Sequence, residues 1–341
     1  MDIREIAKRA KVSTATVSRT INRVPTVDPR LASRVWKVVE QSGYYPNIQA
    51  RALVSGRSRI FGLVVSEITN PFFPEIVQAF EDKAVEHGYE VLLVSTVHDP
   101  KRMDLSVRRM VERRVDGVAV MTFGMEDLLL EDPKFKKVPL VFVDVGPKRP
   151  RVSNIRIDYL RGIREAVGHL VELGHKTVAF ISGPLKLKSA VARRNAFEQS
   201  AREFGLKVDS QYIVEGDHTS EGGMAAASSL LALRKPPTAV LCSNDMTAIG
   251  VLRTCYELGL NVPRDLSIVG FDDIKLAQFV LPPLTTVRMS QPKLARLAFK
   301  ALLTKVQSKK EDESGSELVL ETNLIVRDST APPPSVARRA K

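Results

Sequence analysis

The chain has 341 residues, 44% hydrophobic and 26% charged, an ordinary globular composition but too long for one compact core, so two or three domains are expected. Two cysteines, Cys242 and Cys255, are too few for a disulfide framework and fit the cytosol, while the lack of an apolar signal core or spanning run argues against secretion and membrane insertion. Of the net charge of +12, residues 1–60 hold +8 and residues 331–341 hold +3, so a basic head and tail flank a nearly neutral body, which is the electrostatic footprint of a nucleic-acid module joined to something else.

The head reads as three helices. Ile3, Ile6, Ala7 and Ala10 form one apolar stripe, and Lys11-Val12-Ser13 makes a tight turn into a second helix. Ser13 is a suitable N-cap there, and Val17 and Ile21 mark the inner face. The opposite face carries Thr14, Ala15, Ser18 and Arg19, small groups that reach base edges or phosphates and one guanidinium suited to guanine. Thr16 and Asn22 complete the candidate DNA contacts. Glycine often occupies such a turn, so a positive φ at Lys11 would cost on the order of 1 kcal/mol. A third helix starts at Asp28-Pro29, runs through Leu31, Val35, Trp36, Val38 and Val39, and stops at Gly43. Spacing alone also fits a generic helical bundle; the local positive charge favours the DNA-binding helix-turn-helix.

Ile3-Arg-Glu-Ile-Ala-Lys-Arg-Ala10 followed by Val12-Ser-Thr-Ala-Thr-Val-Ser-Arg-Thr-Ile-Asn22 resembles the N-terminus of the lactose-repressor (LacI/GalR) family of bacterial transcription factors. The next stretch, Pro46 to Gly56, is short and bracketed like a plain linker, yet Asn47 can cap and Ile48 to Val54 tolerate a helix. The resemblance implies a hinge helix that folds on the operator, with Leu53 wedged into the minor groove, where an inserted apolar side chain bends DNA.

From Arg59 strands and helices alternate. Strands are expected at Ile60–Ser66, Glu90–Ser95, Gly117–Met121 and Leu140–Val145, with helices at Pro74–His87, Arg102–Arg113 and Met125–Glu131 and a short extended piece at Asn154–Ile157. After a helix at Tyr159–Leu173, a second round brings strands at Thr177–Ser182, Tyr212–Glu215, Ala239–Ser243 and Leu266–Phe271. Two tandem βα arrays give an α/β fold: the helical head plus two doubly wound, parallel-sheet lobes like a periplasmic binding protein. The expected division is 1–46 helix-turn-helix, 47–58 hinge, 59–330 two-lobed unit and 331–341 disordered tail. The resemblance implies three crossings between the lobes, so that lobe one takes about 59–157 and 288–326, including both final strands at Leu318–Leu320 and Asn323–Val326, and lobe two about 158–287.

Strand C-termini of two such lobes face a shared cleft. The residues there include Phe72 and Phe73, Thr122, Asp144, His218, Asn244 and Asp272, a set suited to sugars, with rings stacked on CH faces and polar groups holding oxygens. By resemblance Arg193 in Val191-Ala-Arg-Arg-Asn-Ala-Phe197 falls on the family's effector-binding arginine, although Ala196 stands where that motif has glycine. Asp272 and Asn244 likewise match its effector aspartate and cleft asparagine. Each has a plainer alternative: core packing for the phenylalanines, a solvated charge for Arg193, a packed or surface imidazole for His218. Asp158 matches a weaker position, and Lys186 and Lys188 are expected to face water rather than a phosphorylated ligand.

No Walker loop, Gly-x-Ser-x-Gly, zinc-spaced cysteines or His-Glu-x-x-His occurs, and no cofactor or metal is expected. The expectation is a cytoplasmic, homodimeric repressor of double-stranded DNA at a pseudo-palindromic operator, controlled by a small carbohydrate-like effector. A nucleobase or protein coeffector, a sugar-acting enzyme with a DNA-binding head and a free sugar carrier are the alternatives; the basic head argues against the carrier. The tail has no heptad pattern to make tetramers.

Overall fold

The structure, a computed structural model, describes residues 2–21, 24–44, 57–97, 99–122, 138–144, 152–308 and 316–334. It divides into two compact units, Met1–Ser58 and Arg59–Lys341.

In the first unit α1 (Ile3–Ala10), α2 (Thr14–Ile21) and α3 (Pro29–Ser42) surround one small core. Ile6, Ala7, Ala10, Val17, Ile21, Val35 and Val39 fill it, which places the amphipathic stripes where the spacing puts them. Trp36, expected within that core, is 36% exposed: its neighbour Val35 takes the central position on α3, and the indole lies one helical step, about 100°, round from it. Asp2 caps α1 by accepting from Arg4 N and Glu5 N, each at 2.9 Å.

The second unit holds two six-stranded sheets. The first contains β1 (Ile60–Val65), β2 (Glu90–Ser95), β3 (Gly117–Met121), β4 (Leu140–Val143), β5 (Val152–Asp158) and β11 (Glu317–Glu321), in the order β11-β5-β4-β3-β1-β2 and wholly parallel. The second contains β6 (Val178–Ser182), β7 (Ile213–Glu215), β8 (Ala239–Cys242), β9 (Ser267–Asp272), β10 (Thr285–Arg288) and β12 (Asn323–Ile325), ordered β12-β10-β9-β8-β6-β7. Helices α4 (Phe72–Glu86), α5 (Pro100–Glu112), α6 (Tyr159–Glu172), α7 (Lys188–Glu203), α8 (Ser220–Leu231), α9 (Asp245–Glu257) and α10 (Gln291–Gln307) connect and cover them. The strands are runs such as Ile-Phe-Gly-Leu-Val-Val and Val-Ala-Phe-Ile-Ser because both faces are buried under helices.

Three expectations change. Asn323–Ile325 belongs to lobe two, where β12 pairs antiparallel with β10; of the two final strands β11 lies in lobe one and β12 does not, since a single residue, Thr322, separates them and the chain passes straight from one sheet edge to the other. The piece at Asn154–Ile157 is a full seven-residue strand, because β4 and β11 pair with it on either side. The start of the tail is ordered: the Ala331 carbonyl accepts from His175 Nε2 at 2.9 Å and its N–H donates to Ser267 Oγ at 3.0 Å. The expected helix at Met125–Glu131, the hinge at Asn47–Val54 and residues 335–341 lie outside the described residues.

Candidate functional site

On the head, Ser13 Oγ accepts from Thr16 N at 3.1 Å and so caps α2. The Thr16 hydroxyl sits 2.9 Å from Ser13 Oγ and belongs partly to that cap. Thr14, Ala15 and Arg19 are exposed, and Ser18 is half-buried beside them. Thr20 is buried, its hydroxyl donating to Thr16 O at 2.9 Å. Lys11 adopts φ 51°, ψ 49°, so the left-handed turn is made without glycine. Arg34, which the sequence reading missed, donates from Nη2 to Ala10 O and Lys11 O and thereby ties α3 to this turn. Asn22 and Leu53 lie outside the described residues.

In the second unit a cavity of about 420 Å³ opens between the lobes at the strand C-termini. Phe72, Phe73, Arg193, His218, Asn244 and Asp272 all line it. Thr122 and Asp144 do not; Thr122 is buried at the end of β3, and Asp144 is half-buried at the end of β4. Asp158 does not line it either: its carboxylate caps α6 by accepting from Arg161 N at 3.2 Å. Lys186 lines the cavity while remaining exposed, whereas Lys188, also exposed, does not.

The floor of the cleft is built around Arg193, which is 5% exposed. Its Nη1 donates to Ser243 O, its Nη2 reaches Asp272 Oδ1 at 3.4 Å, and its guanidinium lies over the Phe271 ring at 4.1 Å and the Tyr159 ring at 5.1 Å. An aromatic face and a carboxylate together make a buried cation tolerable. Burial pushes the Asp272 carboxyl up to about 7, against the pull of Arg193 downward. Phe72 and Phe73 meet edge to face at 5.2 Å, and Asn70 holds the first turn of α4 by accepting from Phe72 N at 3.0 Å.

Asn244 spends its amide on the fold. Oδ1 accepts from Thr247 N at 2.9 Å, capping α9, and Nδ2 donates to His218 O at 2.9 Å. His218 turns with φ 68°, and its ring occupies the space that a side chain at position 183 would need: a Cβ on Gly183 would stand 1.9 Å from Nε2. Asp245 is fully buried, with its carboxyl raised well above the ordinary range by burial and by the nearby Asp272; Oδ2 accepts from Ile274 N at 2.8 Å and Oδ1 from the Thr286 hydroxyl. Asp273 joins Arg288 Nε and Arg327 Nη2, each at 2.6 Å, so the segments on either side of the last two lobe crossings are clamped to one carboxylate.

In lobe one the finish differs. Burial raises the Asp144 carboxyl, against the N–H of Ile157 and the charges of Arg193 and Arg156. Asp144 Oδ1 accepts from Ile157 N at 2.7 Å, but Asp144 Oδ2, Thr122 Oγ1 and Ser66 Oγ have no hydrogen-bond partner. Ser66, Glu67, Asp217 and Glu221 also line the cavity and were not anticipated. Ser66 reads as the last residue of an apolar strand and Asp217 as the neighbour of a more conspicuous histidine, so only their position past strand ends marked them.

Residues 2–47 match the family described as bacterial regulatory proteins, lacI family, and residues 167–330 match a periplasmic binding protein-like domain. The HTH-type transcriptional repressor CytR of Escherichia coli (strain K12) is 36% identical over 96% of each chain. PurR of Glaesserella parasuis is 34% identical over 96% of this chain and 97% of that protein. Among solved structures, the Lac repressor dimer bound to operator and the anti-inducer ONPF superposes with a TM-score of 0.84 at 27% identity, covering 97% of this chain and 99% of that one. The regulator CelR in complex with cellobiose gives 0.72 at 28% identity, covering 96% and 99%.

Proposed function

Since the chain belongs to the lacI family of bacterial regulatory proteins, as a DNA-binding transcriptional repressor and not an enzyme, we propose that it acts as a homodimer on a pseudo-palindromic operator under the control of a sugar or sugar derivative bound between the lobes. Thr14, Ala15 and Arg19 face bases in the major groove, and two heads read two half-sites. The observation that carries the effector reading is the convergence on one cavity of an aromatic pair, Phe72 and Phe73, with the braced polar pair Arg193 and Asp272. Its volume suits a small ligand, and the CelR structure has cellobiose as its ligand.

The ligand shifts the equilibrium between DNA-competent and DNA-weak states only by its differential affinity for them. Thermal shifts with sugars, sugar phosphates and purines, repeated on Asp272→Asn and Arg193→Lys, test the site: a ligand that stabilises both variants as much as the parent places the site elsewhere. On the head, Arg19→Ala is expected to cost about 1–3 kcal/mol on specific DNA and to relax preference at one base pair. Fluorescence anisotropy showing equal losses on specific and random DNA would reject the base-reading role.

A further inference from the structure

We propose that the effector carries a protonated amine, held at the mouth of the cleft between Glu67 of lobe one and Asp217 and Glu221 of lobe two. The inference rests on the reading of this cleft as the effector site and adds the charge of its ligand.

The charges lining the cavity fall into two groups. Arg193 and Asp272 form a buried pair that is internally neutral and already engaged. Nearer solvent stand Glu67, Asp217 and Glu221 with Lys186, so three carboxylates face one ammonium. Among the described residues these carboxylates accept only from hydroxyl and backbone groups: Glu67 from the Thr69 hydroxyl at 2.8 Å, Asp217 from the Thr219 hydroxyl at 2.6 Å and its N–H at 2.9 Å, Glu221 from the Ser220 hydroxyl at 2.9 Å. Asp217 and Glu221 also repel each other. Even so both stay ionised at neutral pH. Burial raises the Asp217 carboxyl, but the Thr219 hydrogen bonds outweigh it and hold it low; the backbone N–H of Glu221 and then the Ser220 hydroxyl hold that carboxyl low.

An independent sign of a ligand site lies deeper. Ser66, 2% exposed, lines the same cavity with its hydroxyl unmatched, and the Nε of Arg193 is unmatched as well. Buried polar groups in folded proteins are normally paired, so these two await groups of a polar ligand. With the inner end set for hydroxyls and the outer rim rich in anionic acceptors, the complementary molecule is a small polyol bearing an ammonium group, whose three N–H donors meet carboxylates from both lobes. A phosphorylated ligand would add its negative charge to a rim that already holds three carboxylates, with only Lys186 and the His218 imidazole beside them.

The test is calorimetric titration of the full chain with matched sets of hexoses: glucose, galactose and mannose, each in neutral, 2-amino and 6-phosphate form. At least one amino sugar is expected to bind about fivefold more tightly than its neutral counterpart, the gain of one partly exposed ion pair. Asp217→Asn with Glu221→Gln should erase that advantage, the amino sugar then binding no more tightly than its neutral counterpart. Unchanged melting of the unliganded double variant verifies that it folds. A neutral or phosphorylated sugar that binds as well as the amine form, or failure of every amino sugar to bind, overturns the inference. The two readings separate through Asp272→Asn: neutral and amino sugars bound equally, and both weakened there, leave the cleft as effector site without its amine preference. Binding indifferent to Asp272→Asn removes both.

Discussion

Lobe one and lobe two share a strand order and differ in how their cleft-facing ends are finished. In lobe two every charged strand-end group is braced: Asp272 by Arg193, Asp245 by Thr286 and Ile274, Asp273 by Arg288 and Arg327. In lobe one Ser66 and Thr122 end their strands with unmatched hydroxyls and Asp144 with one unmatched oxygen. Lobe two also leaves the Ser243 and Thr247 hydroxyls and the Nε of Arg193 unmatched, but no carboxylate oxygen. The contrast separates two jobs. A braced lobe keeps its geometry with or without ligand, whereas unmatched buried groups gain most when a ligand or a closing lobe supplies partners.

The largest expected effect comes from breaking the brace. Arg193→Ala removes the partner of the buried Asp272 carboxyl together with the hydrogen bond to Ser243 O, and should cost about 3–5 kcal/mol in urea unfolding; a loss under 1 kcal/mol would mean that the pair holds nothing together. Next is Gly270→Ala, whose Cβ would fall 2.1 Å from Asp245 Oδ1 and 2.9 Å from Leu284. Overpacking of this kind costs about 1–3 kcal/mol, read as a lowered denaturation midpoint.

Asp272 also makes the brace sensitive to pH. Its carboxyl rises from 3.8 to about 7 on folding, so between those values the native state holds a proton that the unfolded state has lost. Stability therefore falls as pH rises through that window, by about 1.4 kcal/mol per unit from this group. Asp272→Asn lacks the proton, and the difference between parent and variant unfolding curves should show that slope and flatten above pH 7. A difference that does not change with pH would show that Asp272 stays ionised throughout.

The smallest effect sharpens the other side. Thr122→Val removes an unmatched buried hydroxyl, so stability should stay within about 0.5 kcal/mol or rise. A cost above 1 kcal/mol would reveal a partner for Thr122 and weaken the contrast between the lobes.

The periodic features were legible in the sequence. Stripes such as Ile3, Ile6, Ala7 and Ala10, and strands such as Ile60–Val65, declare themselves because burial repeats with the period of the backbone. Strand ends also announced most of the cleft, since a parallel sheet delivers them to one edge. Pairing across long separations was hidden. Nothing local in Asn323-Leu-Ile325 says which sheet edge it joins, and nothing in Asn244 says that its amide will be spent on His218 and Thr247. Arg34, 24 residues from the carbonyl of Ala10, was equally silent. The Ala331 anchor was masked by the prolines that follow it, whose composition reads as disorder.

The central claim is that occupancy of the interlobe cleft and operator binding are coupled, and coupling is reciprocal. The most direct measurement is the affinity of the selected ligand for the full chain alone and for the same chain saturated with DNA enriched from a random pool, beside the DNA affinity with and without ligand. Both ratios should depart from one and agree, and Asp272→Asn should weaken ligand binding in each state. A ligand bound in the cleft with the same affinity in the presence and absence of DNA would contradict the coupling.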